Sequence, residues 1–135
     1  MTPFDGPNSE LAWMFLQSLS EGGDLDEGFA LLSDDFTYWS LFTRDSFDKA
    51  ALRLAIERRK ETYELTSIDL RRCVNEGDTV VVEAHTAGTT TGGVRYDSPV
   101  VYIFETQDGQ IVSMREYSDT RAEADAAATV PGPSS

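Results

Sequence analysis

The 135-residue chain has one cysteine, Cys73, and one histidine, His85. A single thiol excludes an intramolecular disulfide. One Cys and one His cannot assemble a zinc site of the usual Cys/His type, so no metal is expected. Cys73 lies in the strand-like run Leu70-Arg71-Arg72-Cys73-Val74, and a buried reduced thiol is the expectation. No apolar run approaches the roughly 20 residues that span a bilayer. The opening residues, Met1-Thr2-Pro3-Phe4-Asp5, show neither the basic segment nor the apolar stretch of a signal peptide, so a cytoplasmic protein is expected. Cations are scarce: 11 Lys+Arg face 24 Asp+Glu, and the first of the eleven is Arg44. Phosphate backbones are bound by clustered cations, so no nucleic acid is expected as a partner, and no membrane surface for the same reason. The glycines Gly88, Gly92 and Gly93 are not followed by a lysine at P-loop spacing.

What is present is ordinary globular material. Apolar residues make up 40% and charged residues 26%, which excludes wholesale disorder and collagen-like repeats. No repeat or linker interrupts residues 4–121, so one domain is predicted there; residues 122–135 are Ala-rich, then Pro/Gly/Ser-rich, and read as a flexible tail.

Periodicity predicts three helices and then a sheet. Leu11, Phe15 and Leu19, with Ala12 and Leu16, mark a helix over about 8–21, closed by Gly22-Gly23. Asp24 with Glu27 forms a capping-box start for a helix over about 25–33, anchored by Phe29, Leu31 and Leu32. A third helix starts at Asp45, with Phe47, Ala50, Ala51, Leu54 and Ala55 as its apolar stripe. Phe36–Ser40 reads as a short strand between the second and third helices. Turn signals at Asn75–Asp78, Gly92-Gly93 and Asp108-Gly109 separate four strands, about 66–75, 79–91, 95–106 and 110–119. The expected architecture is α+β: a curled antiparallel meander packed against three N-terminal helices. Its far face, left exposed, predicts a homodimer.

Strand alternation sorts the polar residues. Glu83 and His85 share one face of the strand over 79–91, and Val80, Val82 and Ala84 the other. On the last strand Val112, Met114, Glu116 and Ser118 share a face. A carboxylate beside Met114 on an apolar face is costly unless paired or protonated, which singles out Glu116 as an acid or base. His85 titrates near neutrality and is the matching proton carrier; an ion-paired Glu116 and a hydrogen-bonded surface His85 are the competing readings. Trp13, Tyr38, Trp39, Tyr102 and Met114 supply apolar surface suited to a pocket, or simply to a core.

Three stretches resemble a known superfamily. They are Gly23–Phe36, Val80–Gly92, and Tyr96-Asp97-Ser98-Pro99 through Arg115-Glu116-Tyr117-Ser118-Asp119. The chain is similar to the SnoaL-like and ketosteroid isomerase-like branch of the nuclear-transport-factor-like cone fold. That resemblance implies a curved α+β barrel and a homodimer paired through its sheet. It also implies cofactor-free chemistry on a small apolar metabolite: isomerisation, cyclisation, dehydration or epoxide opening of a polyketide-, terpenoid- or steroid-like compound. A non-catalytic binding or dimerisation module is the alternative. Where ketosteroid isomerase places its helix tyrosine and its base, this chain has Leu16 and Ser40. The Arg-x-Asp pair of limonene epoxide hydrolase is replaced by Glu83-Ala84-His85. Arg115-Glu116-Tyr117 resembles the Arg-Glu-Phe run of phenazine-biosynthesis relatives. Glu116, His85 and Glu83 are therefore the expected catalytic residues, lined by Trp13, Tyr38, Trp39, Tyr102 and Met114.

Overall fold

Helix α1 (Pro7–Ser18) begins with Pro7 in its first turn, where a missing N–H costs nothing. It buries Ala12, Phe15 and Leu16, with Leu19 just beyond its end. The structure, a computed structural model, describes residues 6–119; the expected tail at 122–135 lies outside the described residues. Asp24 caps α2 (Leu25–Phe29), accepting from the Asp26 and Glu27 amides at 2.9 and 3.4 Å. This helix is shorter than the sequence suggests. The chain passes at once into strand β1 (Leu32–Ser40), which takes up Leu32 as a buried strand residue.

Strand β2 (Ser46–Asp48) was not legible as a strand; it pairs antiparallel with β1. Asp48 then caps α3 (Lys49–Arg59), accepting from the Ala51 amide at 2.7 Å. The stripe expected on this helix needs correction. Leu54 is 48% exposed and Ala50 and Ala51 face solvent, while Leu52 and Ile56 are buried. Phe47 belongs to β2, so a periodicity counted from it takes the wrong phase.

The four long strands are β3 (Tyr63–Glu76), β4 (Thr79–Thr90), β5 (Arg95–Gln107) and β6 (Gln110–Ser118). They form the predicted antiparallel meander. The β5–β6 hairpin turns at Asp108-Gly109, both with positive φ (51° and 79°), the conformation a two-residue turn of matching twist demands. Strand β1 then lies parallel to β6, giving the order β2-β1-β6-β5-β4-β3. The sheet is curved and unclosed. Bulges near Thr66 and Arg71 on β3 and near Val112 on β6 help it curl. At Gly88, a Cβ would lie 2.5 Å from the Glu64 carbonyl oxygen and 2.7 Å from the Tyr96 hydroxyl, so only glycine lets that ring close over β4.

The core lies between the helices and the concave side of the sheet. At its centre the Phe15 ring packs on Phe29, Phe36 and Phe104 at 5.9–6.5 Å, tying α1 to α2, β1 and β5. Arg53 clamps α2 to α3: it bonds Asp26 and Glu57 at 2.8 Å and lies over the Phe29 ring. Cys73 is half-buried against the core. No helix among the described residues is long and apolar enough to cross a membrane.

Candidate functional site

Register across the sheet decides which side chains meet. Tyr38, Met114, Phe104 and Val80 form one row over β1, β6, β5 and β4. Ser40, Glu116, Tyr102 and Val82 form the next. Val80, Val82, Tyr102, Phe104 and Met114 are buried, which fixes this as the inner face. Glu116 therefore stands on an otherwise apolar floor, and Tyr38 is its diagonal neighbour on the parallel strand. The Tyr38 hydroxyl donates to Glu116 Oε1 at 3.0 Å, joining residues 78 apart in sequence.

Burial, first, and then the Glu116 charge push the Tyr38 phenol well above its ordinary value; a hydrogen bond with Ser40 and the Arg59 charge act the other way. Tyr38 is thus a neutral donor throughout the physiological range. Phe47 packs edge-on against its ring at 6.0 Å and helps hold it. Arg59, at the end of α3, also borders a groove with Leu19, Ile56 and Leu65 as its apolar part and Lys60 and Glu64 among its polar part.

The structure brings together Glu116, Tyr38, Tyr102 and Met114. Tyr102 and Met114 are 4% and 1% exposed, so they form the floor beneath the pair. Trp13 is half-buried on α1 and packs against the same core. The remaining three expected site residues are elsewhere. Glu83 and His85 alternate with the buried Val82 and Ala84 and so point to the outer face. There Glu83 lies 4.0 Å from Arg72, and His85 Nε2 lies 3.1 Å from Asp97 Oδ1. Trp39 also faces outward, its ring beneath the Arg115 guanidinium. The structure does not place the imidazole on the Glu116 face.

Two further residues stand at the pair. Ser40 holds the position that the resemblance matches to the ketosteroid isomerase base, and alternation with Tyr38 on β1 puts it on the same face. Arg59 was not legible, because a stripe counted from Phe47 takes the wrong phase on α3. The bulge at Val112 was missed too: Ile111 and Met114 are both buried, three positions apart, which strict alternation forbids.

The family model of the SnoaL-like domain matches residues 14–114. No curated protein matches the chain. Among solved structures, a polyketide cyclase candidate of the SnoaL-like type from Jannaschia sp. CCS1 is similar at 21% identity and a TM-score of 0.79, covering 97% of this chain and 98% of that one. An LEH-like epoxide hydrolase from M. tuberculosis is similar at 21% identity and a TM-score of 0.75, covering 89% and 88%. An NTF2-like protein from Burkholderia xenovorans LB400 is similar at 21% identity and a TM-score of 0.73, covering 89% and 95%. At these identities the likeness establishes the fold.

Proposed function

The chain belongs to the SnoaL-like domain family, and on that premise we propose that it is a cofactor-independent enzyme using Glu116 and Tyr38 on a small, largely apolar metabolite. The observation that carries this reading is the Tyr38–Glu116 hydrogen bond at 3.0 Å on the inner face. A carboxylate can take a proton from carbon or oxygen of a bound substrate. The neutral phenol beside it donates to the oxygen on which negative charge then gathers. Arg59 adds positive potential on the same side, since its charge acts on Tyr38. Base and donor together suit isomerisation, cyclisation, dehydration or epoxide opening of a polyketide-, terpenoid- or steroid-like compound. His85 and Glu83 have no part in this scheme.

A second reading has its own observation. Tyr38 already occupies one Glu116 oxygen, as it would in a binding module where the bond only braces the sheet. One experiment separates the two. Polycyclic ketones and terpene epoxides are screened by thermal shift, because a ligand of the native state raises apparent stability. Binders are then tested for turnover by mass spectrometry. Glu116→Gln should bind them and lower kcat by roughly 10²–10⁴, the effect of losing general acid–base catalysis. Binding without turnover by the wild type supports the module.

A further inference from the structure

Strand β1 ends beside the Tyr38–Glu116 pair. Its last residue, Ser40, is 5% exposed and stands directly opposite Glu116 on β6. The chain turns away at once. The Arg44 amide closes the turn on the Ser40 carbonyl at 2.7 Å, with Arg44 itself at φ 58°. The Leu41 amide reaches the Glu116 carbonyl at 3.0 Å, so backbone bonds tie the turn to β6. Held in this way, the Phe42 N–H points at the Ser40 hydroxyl oxygen, 3.2 Å away.

Four groups then stand in a line. The Phe42 amide bonds Ser40, Ser40 bonds Tyr38, and Tyr38 bonds Glu116 Oε1 at 3.0 Å. Both ends of the line are one-way. An amide N–H only donates, and an ionised carboxylate only accepts. Each hydroxyl between them carries a single hydrogen. All three bonds are satisfied only if the amide donates to Ser40, Ser40 to Tyr38 and Tyr38 to Glu116. The Ser40 bond draws the Tyr38 pKa downward, as a hydrogen bond donated to the phenol oxygen must.

Protonation of Glu116 changes one end only. A carboxylic acid no longer requires the Tyr38 hydrogen, while the amide still keeps Ser40 donating to Tyr38. The phenol hydrogen is then able to turn to an oxygen of the substrate. Ser40 steadies the negative charge that this pull leaves on the phenol oxygen.

We propose that Ser40 is a positioning residue: it sets the direction of the Tyr38–Glu116 bond, so that Tyr38 serves a substrate oxygen only after Glu116 has taken a proton from the substrate. The order of events rests on the catalytic reading given above; the direction of the bonds does not. The test therefore has two arms. In full-length protein labelled with ¹³C at tyrosine Cζ, the Tyr38 signal, assigned with Tyr38→Phe, reports its phenolate. It is compared at an alkaline pH at which all variants stay folded by far-UV dichroism, with Arg59, the other charge acting on Tyr38, left in place. Ser40→Ala should hold roughly tenfold less phenolate than wild type, the loss of one donor to a charged oxygen. Ser40→Thr should return to the wild-type value, and Glu116→Gln should hold more phenolate than wild type. A Ser40 that merely fills space predicts the opposite sign, because its removal lets water reach the phenol and eases ionisation. Unchanged or increased phenolate in Ser40→Ala would overturn the donor chain. The second arm uses a compound that wild type turns over. Ser40→Ala should lower kcat roughly tenfold and leave KM unchanged, and Ser40→Thr should restore kcat. Full turnover by Ser40→Ala would overturn the positioning role. The first arm needs no substrate, so its failure counts against the donor chain alone, whereas a wild type without turnover fails the catalytic reading and the ordering with it.

Discussion

The two faces of the sheet are cut from the same strands and differ in almost everything else. Inward positions hold Val80, Val82, Val100, Tyr102, Phe104 and Met114, all buried, with one carboxylate among them. Outward positions hold charged pairs that remain wet: the Arg72 and Glu83 side chains are 75% and 54% exposed, and Asp97 beside His85 is 71% exposed. Both faces have a tyrosine bonded to a charged residue. Tyr38 donates to Glu116 inside, and Tyr117 accepts from Arg115 outside. The lesson is that an ionisable group acquires chemical meaning from its surroundings. Glu83 and Glu116 are the same side chain; only Glu116 is half-buried on the inner face with a neutral donor fixed beside it.

The sharpest way to break this contrast is to empty one position on each face. Phe104→Ala should cost about 3–5 kcal/mol in urea unfolding, since a fully buried aromatic leaves a cavity. Ile103→Ala, its outward neighbour, should cost about 1 kcal/mol. Equal losses would mean that the outer face is packed as tightly as the inner. Next in size is Gly88→Ala, whose new methyl would crowd the Glu64 carbonyl and the Tyr96 ring. About 1–3 kcal/mol is expected from such overpacking, and Gly93→Ala, in an open turn, serves as its reference for backbone strain alone.

The tyrosines give the third test. Tyr38→Phe should cost about 1–2 kcal/mol and Tyr117→Phe close to nothing, by chemical denaturation at neutral pH. Their pH dependence should differ as well. The folded-state pKa of Tyr38 is raised, so the folded protein holds that proton more tightly than the unfolded chain does. The resulting stability is complete below the unfolded value of about 10 and is lost as pH rises from there through the folded value. Wild type should therefore lose stability above about pH 10 more steeply than Tyr38→Phe; parallel curves would contradict the burial of the phenol. The smallest effect is expected on the outer face, where Glu83→Gln should change stability by under about 0.5 kcal/mol.

Much of this was legible beforehand, for physical reasons. The hairpin turns were visible because Asp108-Gly109 and its counterparts supply the φ that tight turns need, and the strands between them followed within a few residues. Asp24 gave the start of α2 because an N-cap is a local interaction. The site was legible by half. Alternation singled out Glu116 and left the direction of Glu83 and His85 open, since either face of an isolated strand pattern can turn inward. Trp39 was misplaced because large aromatics serve pockets and outer faces alike. Strand β2 and the α3 stripe failed together: three residues, Ser46–Asp48, are too few for a period, and Phe47 then pulled the helix count out of phase. The parallel pairing of β1 with β6 left no local trace, because it joins the early part of the chain to its last strand.

That pairing sets a timetable for synthesis. Until β6 has left the ribosome, β1 has only the three residue pairs of β2 beside it. Tyr38 and Ser40 then wait for Glu116, the residue they are built around, to be made 78 and 76 positions after them. Helices and hairpins can form as they emerge, but closing β1 onto β6 joins residues 76–79 positions apart, and such contacts are slow to form. The nascent chain thus carries an unsatisfied strand edge until β6 emerges, and the Tyr38–Glu116 bond is among the late contacts the molecule acquires.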